Sequence, residues 1–316
     1  MTNWIDEKIV ILAGGPSCER EISLISGNAV HEALTAMKIP AVLLDPVGDF
    51  LQLLKKENPS IVFLALHGTF GEDGTIQKIL EDEGILYTGC GIATSETAFD
   101  KSRTQSLFQK KNIRVPMMMT IGQSEPIRLP ETFSFPVVVK PATSGSSVGV
   151  TILFERAGYE KAVTAAFQYS DMILVEQYIP GRELTVGFLA DKPLPIVEVI
   201  AKRKFYDYEA KYKDSETQYD FPAKLSVEEA RSVTEAASRA YHALGCQVMA
   251  RVDIILGEDK KPYVLEVNTI PGLTHKSLLP KAASAAGIDF PELCVRILNL
   301  SLDCRKSSKN LARQEK

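Results

Sequence analysis

Residues 248–256 read VMARVDIIL and residues 262–268 read PYVLEVN. Both are extended apolar runs, and the turn near residues 257–261 folds them back on each other as an antiparallel hairpin. In that pairing Asp253 stands opposite Glu266 and Arg251 opposite Asn268, because the position numbers of both pairs have the same sum. By the two-residue period of a strand, all four side chains share one face of the sheet. Like charges directly opposed across a sheet are unfavourable unless something positive lies between them. Two carboxylates and an amide oxygen are the hard donors that Mg²⁺ accepts, so the hairpin predicts a metal site at Asp253, Glu266 and Asn268. The other reading of the same residues is a solvated polar stripe on an outer face.

Upstream of the hairpin the chain alternates strands and helices. KIVILAGG (residues 8–15) is a short β-rich run ending in two glycines, and residues 23–37 follow with helical spacing. The pattern recurs as AVLLD, FLQLLKKEN and SIVFLALHG, which predicts a small open parallel α/β domain over residues 1–98. SETAFDKSRTQSLFQKKN reads as one helix with Ser95 as its N-cap, and Pro116 lies beyond its end. A central unit over residues 99–184 then contains a strand, a glycine-rich loop, a second strand, a helix and a third strand. A C-terminal unit over residues 185–302 holds a helix at VEEARSVTEAASRAYHAL and the hairpin. Residues 303–316, with five basic and two acidic side chains, are expected to be a solvated helix end or a mobile tail.

Five further stretches carry polar groups where ligands bind. FPVVVKPATSGSSVGV (residues 135–150) delivers Lys140 at a strand end before a loop of small residues, whose backbone N–H groups can approach a phosphate. That loop is not a Walker P-loop, and a flexible turn is its simpler explanation. ILVEQYIPGRELTVG (residues 173–187) exposes Glu176 and Glu183, and carboxylates accept readily from ribose hydroxyls. GGPSCEREISLISG and ALHGTFGEDG each follow a strand, so Glu19, His67 and Glu72 meet in one crevice if the sheet is open. Finally, residues 201–225 are rich in Tyr, Lys and acid with poor periodicity, as expected of a lid.

Composition limits the functional classes. The chain has 316 residues, 45% hydrophobic and 24% charged, which is ordinary for a globular protein of about two domains or more. Thirty-six Lys and Arg against 40 Asp and Glu leave a net charge of −4, so nucleic acid and anionic membranes are not expected partners. Cys18, Cys90, Cys246, Cys294 and Cys304 form no C-x-x-C pair and are expected to be free thiols. The first apolar run, residues 9–13, is far shorter than the ~18 residues of a membrane span, and it follows Asp6 and Glu7 rather than a basic leader. A cytoplasmic location is expected.

Nine stretches together resemble the D-alanine–D-alanine ligase family of the ATP-grasp superfamily, over essentially the whole chain to about residue 302. They are GGPSCEREISLISG, HGTFGEDGTIQ, LYTGCGIA, FDKSR, VVVKPATSGSSVGV, GRELTVG, FYDYEAKY, ARVDIIL and LEVNTIPGLT, in the family's order. The resemblance implies an α/β three-domain ATP-grasp fold with ATP between the central and C-terminal domains. It also implies ligation of two D-alanines through an acyl phosphate, with ATP as co-substrate.

Carried onto this chain, Lys101 and Lys140 match phosphate-binding lysines, with Ser146 and Ser147 in the loop above them. Glu176, Gln177 and Ile179 match the adenine strand and Glu183 the ribose ligand. Asp253, Glu266 and Asn268 match ligands of Mg²⁺, two ions per site with Mn²⁺ as an alternative. Glu19 matches the residue that holds the first ammonium, with His67 nearby. Arg251 and the Gly272 N–H match the oxyanion pair, Ser277 the second carboxylate contact, and Lys211 and Tyr212 the lid. A homodimer is implied as well.

The sequence departs from the family's T-S-H-S wording at Thr274, His275, Lys276 and Ser277, and Cys18 stands where a small residue is usual. If exposed, Cys18 offers a thiol whose modification would block Glu19. Competing readings are a nucleotide-binding paralogue without turnover, a ligase with another D-amino or D-hydroxy acid acceptor, and a dehydrogenase. The absence of G-x-G-x-x-G with a following acid disfavours the last.

Overall fold

The computed structural model describes residues 4–146, 148–200 and 217–314, with side chains as far as Cys304. It is an α/β protein built on three sheets. The first contains β1 (Ile9–Leu12), β2 (Ala41–Leu44) and β3 (Ile61–Leu64), parallel and in the order β2-β1-β3. Helices α1 (Arg20–Ala36), α2 (Phe50–Glu57) and α3 (Thr75–Asp82) connect and cover them. β1 and β3 are buried throughout, which explains why they read as unbroken apolar runs without alternation.

The single helix expected from Ser95 is two helices. α4 (Ile92–Phe99) and α5 (Lys101–Lys110) meet at Asp100, which is extended and whose carboxylate accepts from the N–H groups of Ser102 and Arg103 at 2.9 and 3.1 Å. Asp100 is therefore the cap, and Ser95 is buried inside α4. A side chain that satisfies the first free N–H groups starts a new helix in mid-run without any Gly or Pro.

The second sheet is antiparallel, in the order β4-β7-β5-β6: β4 (Met118–Gly122), β5 (Val137–Pro141), β6 (Thr151–Leu153) and β7 (Met172–Gln177). α6 (Tyr159–Ala166) packs Tyr159 and Val163 against Val137, Val139, Ile173 and Val175. β4 is not among the expected strands: its Met118, Met119 and Ile121 lie in a short apolar run that is partly exposed along most of its length.

The third sheet has the order β11-β10-β8-β12-β13, with β9 (Lys192–Pro193) paired to β8 (Gly181–Leu189). The others are β10 (Val197–Ile200), β11 (Gln218–Asp220), β12 (Met249–Gly257) and β13 (Pro262–Asn268). α7 (Val227–Leu244) crosses one face; Ser226 and Glu229 close a capping box at its start, and Gly245, left-handed, ends it. Tyr241 of α7 stacks on Phe188 of β8 with ring centroids 4.5 Å apart. The chain continues into α8 (Leu278–Ala285) and α9 (Phe290–Gln314).

Three expected boundaries move. The division at residue 184 falls inside β8, which belongs wholly to the third sheet. Ala98, Phe108 and Ile113 share their core with Val233, Ala237, Val252 and Ile254, so α4 and α5 pack on the C-terminal unit rather than the central one. Ile9, Ile11, Phe63 and Leu64 share a core with Leu279, Leu293, Ile297 and Leu298, so the N-terminal unit is completed by the last helices. Residues 303–314 continue α9 as helix. Among the described residues, no helix is long and apolar enough to cross a membrane.

Candidate active site

The hairpin pairs as its sequence requires: Asp253 faces Glu266 and Arg251 faces Asn268, with a bulge between Asp253 and Ile254 that shifts the register beyond them. Val252 and Ile254 are fully buried, so the alternate residues Arg251 and Asp253 point to the opposite, accessible face. Arg251 donates from Nε and Nη2 to both Asp253 oxygens at 2.8 Å, and Asn268 Nδ2 lies 3.4 Å from Asp253 Oδ2. Lys101, the first residue of α5, is 3.2 Å from Glu266 and donates to the Ser144 carbonyl at 2.6 Å. The break at Asp100 is what aims Lys101 here.

Two cavities meet at this face, of about 440 Å³ and about 400 Å³. Lys101, residues 144–146, Glu183, Asp253 and Glu266 line both. The smaller one has apolar walls of Val138, Ile152, Ile179, Ile255 and Leu265 and polar groups from Lys140, Glu176, Gln177 and Glu183. Lys140 and Glu176 are both buried and paired at 2.6 Å; Gln105 of α5 also donates to Glu176. The Gln177 amide is committed elsewhere, donating to the carbonyls of Ser134 and Pro136 at 2.8 and 3.0 Å.

The larger cavity opens from the carboxyl ends of β1 and β3, where open α/β sheets bind ligands. Glu19, His67, Glu72, Ser146, Arg251, Gly272 and Ser277 line it. The Ser146 hydroxyl donates to buried Glu19. A Cβ at position 145 would come within 2.4 Å of a Glu19 oxygen, so a side chain there would displace the Glu19 carboxylate. A Cβ at position 272 would lie 2.8 Å from Ser277 Oγ, which caps the chain reversal by accepting from the Thr274 N–H at 3.1 Å.

Burial sets the charge states here. The His67 imidazole is pushed down to about 4, by burial first and then by the Arg251 charge, and lies 2.9 Å from Ser26 Oγ. The Glu72 carboxyl is pushed up to about 8, by burial first and then by the neighbouring Glu19, although the Gly68 N–H donates to it at 2.7 Å. His67 is thus neutral and Glu72 largely protonated near neutral pH.

Of the residues singled out by sequence, Ser147, Lys211 and Tyr212 lie outside the described residues, as do residues 201–216 of the expected lid. The rest of that set lines one or both cavities. Cys18 is exposed in the loop beside Glu19. Gln105 was missed, although it lies four positions after Lys101 on the same helical face, a spacing legible in sequence. Arg182, held on Glu198 at 2.7 and 2.6 Å, was missed too, and no local signal marks that pair.

Among the described residues, no group of three or more Asp, Glu, His or Cys side chains is placed to hold a metal ion. The anionic face therefore consists of two carboxylates with the Asn268 amide beside them. Hard oxygen donors on one sheet face fit a divalent cation such as Mg²⁺, which would share Asp253 with Arg251 and Glu266 with Lys101.

Comparison with known proteins identifies the family. The family models described as D-ala D-ala ligase N-terminus and C-terminus match residues 46–90 and 107–299. A D-alanine–D-alanine ligase of Geotalea uraniireducens is 45% identical over 293 residues, covering 92% of this chain and 94% of that protein. One from Methylacidiphilum infernorum is 42% identical over 301 residues, covering 95% and 97%. Among solved structures, a D-alanine–D-alanine ligase of Bacillus anthracis complexed with ATP superposes with a TM-score of 0.85 at 32% identity, covering 96% of this chain and 99% of that one.

Proposed function

The chain belongs to the D-alanine–D-alanine ligase family and joins two D-alanines at the expense of ATP for peptidoglycan precursor synthesis, and we propose that its two cavities divide that work between nucleotide and amino acids. The observation that carries the division is the junction. Asp253, Glu266 and Lys101 line both cavities, where a phosphoryl group leaving a nucleotide on one side would reach a carboxylate on the other.

On the nucleotide side, Val138, Ile152, Ile255 and Leu265 form walls for a flat base. Glu176 accepts from the exocyclic amine beside Gln177 and Ile179, and Glu183 accepts from ribose hydroxyls. Lys101 and Lys140 bring positive charge to the phosphates, with Ser146 lining the cavity beside them. Asp253, Glu266 and Asn268 would hold Mg²⁺, with Mn²⁺ as an alternative and two ions per site, and that metal would supply charge neutralisation at the terminal phosphate oxygens.

On the amino-acid side, Glu19 takes the ammonium of the first D-alanine, and neutral His67 adds no repelling charge beside it. A carboxylate is a poor electrophile, so the first D-alanine takes the terminal phosphoryl group and ADP is left. The amine of the second D-alanine, having lost a proton, attacks the acyl carbon; the C–N bond forms, the acyl C–O bond breaks and phosphate leaves. Arg251 and the Gly272 N–H stabilise the oxyanion in between, a kind of contact worth about 2.7–4 kcal/mol per donor. Ser277 holds the second carboxylate, and Lys211 and Tyr212 complete the closure in this reading. A homodimer acting in the cytoplasm belongs to the same proposal.

Phosphate release measured with ATP, Mg²⁺ and D-alanine tests the reading. Release that depends on D-alanine and matches dipeptide formation one to one is expected; release independent of D-alanine would overturn it.

A further inference from the structure

His275 and Lys276 both line the amino-acid cavity beside Ser277, yet they are held differently. The His275 ring packs on Phe290, with centroids 5.7 Å apart. The Lys276 ammonium has no carboxylate within ion-pair distance among the described residues. Five residues on, Lys281 of α8 donates its ammonium to the Lys276 carbonyl and sits 4.5 Å from the centre of the Tyr219 ring. Burial, and next the Lys276 charge, push Lys281 down to about 8.

Two lysines placed this close, with no acid between them among the described residues, form an arrangement that a bound anion relieves. Of the five acids lining the same cavity, Asp253 is engaged with Arg251, Glu266 with Lys101, Glu19 with Ser146, and Glu72 with the Gly68 N–H. The cavity therefore has a charge-paired end at the hairpin and a cationic end at the start of α8. A zwitterionic acceptor whose amine must reach the reacting centre would place its carboxylate at the second end.

We propose that Lys276 is a specificity-determining residue of the acceptor subsite, supplying with Lys281 behind it the positive charge that receives the carboxylate of the second D-alanine beside Ser277. The proposal rests on the ligase reading above. It separates donor from acceptor: the first D-alanine, turned towards Glu19, does not use Lys276, whereas the second one does.

The test compares two acceptors for the same acyl phosphate. D-Alanine attacks to give dipeptide and phosphate; hydroxylamine, which has no carboxylate, attacks the same carbon to give D-alanine hydroxamate and phosphate. With D-alanine at a concentration that fills the donor site only, Lys276→Ala should lower the ratio of dipeptide to hydroxamate about tenfold, the loss expected for one charge-assisted contact. Lys276→Arg should restore most of the ratio, because the charge returns. An unchanged ratio in Lys276→Ala, with both products falling in step or neither falling, would overturn the proposal, since a merely structural lysine affects both acceptors alike. Failure of the underlying reading is distinguishable: the parent protein would then form neither product.

Discussion

Glu266 is the residue on which the junction depends most, because it faces Asp253 across the hairpin and Lys101 across the cavity. Glu266→Gln keeps its shape and removes its charge. Turnover should fall at least about a hundredfold while the unfolding midpoint moves little, and steady-state kinetics with thermal unfolding checks both. Two groups of the amino-acid cavity, shifted in opposite directions, give opposite pH effects. Glu72, raised from 4.5 to about 8, stabilises the fold fully below pH 4.5 and loses that contribution as pH rises towards 8. His67, lowered from 6.5 to about 4, contributes fully above pH 6.5 and loses it as pH falls towards 4. Between pH 4.5 and 6.5 the two slopes oppose each other. Above pH 6.5 only Glu72 acts, at up to about 1.4 kcal/mol per pH unit. Denaturant titrations at pH 6 and 8 should show this decline, and Glu72→Gln should flatten it. Glu72 was visible in the sequence as a crevice residue, but its protonation was not, because burial is set by the loops folded over it.

At the scale of elements, the hairpin was legible because two strands joined by a short turn have few registers, and the alternation of buried and polar residues selects one. Its bulge was not legible: an extra residue in one strand leaves no mark in the apolar pattern up to Asp253. The α4–α5 break was misplaced because Ser95 and Asp100 are both good cap residues, and local propensity does not rank them. Tertiary packing does, since Ser95 is buried and Asp100 reaches two N–H groups. Asp100→Ala should cost about 1 kcal/mol of stability through the lost cap. It should also raise the KM for ATP, because Lys101 begins the helix that Asp100 starts. Urea unfolding and ATP titration of the variant check the two effects separately; an unchanged KM would detach the cap from the nucleotide site.

For the whole molecule, the first sheet is too small to close a core alone. Its apolar face meets Leu279, Leu293, Ile297 and Leu298 from the far end of the chain. A fragment of residues 1–98 should therefore lack cooperative unfolding, while adding residues 278–314 in trans should restore it in part; circular dichroism during thermal melting checks this. The sequence by itself determined the α/β class, the hairpin with its four facing polar residues, the family, and most of the charged residues that line the two cavities, because these follow from short-range periodicity and motif wording. Only the tertiary structure decided the unit boundaries, the charge states of His67 and Glu72, the pairing of Lys140 with Glu176 and Gln105, and the cationic end at Lys276 and Lys281. Those depend on which distant surfaces exclude water from one another, a property of the packed chain that no local pattern encodes.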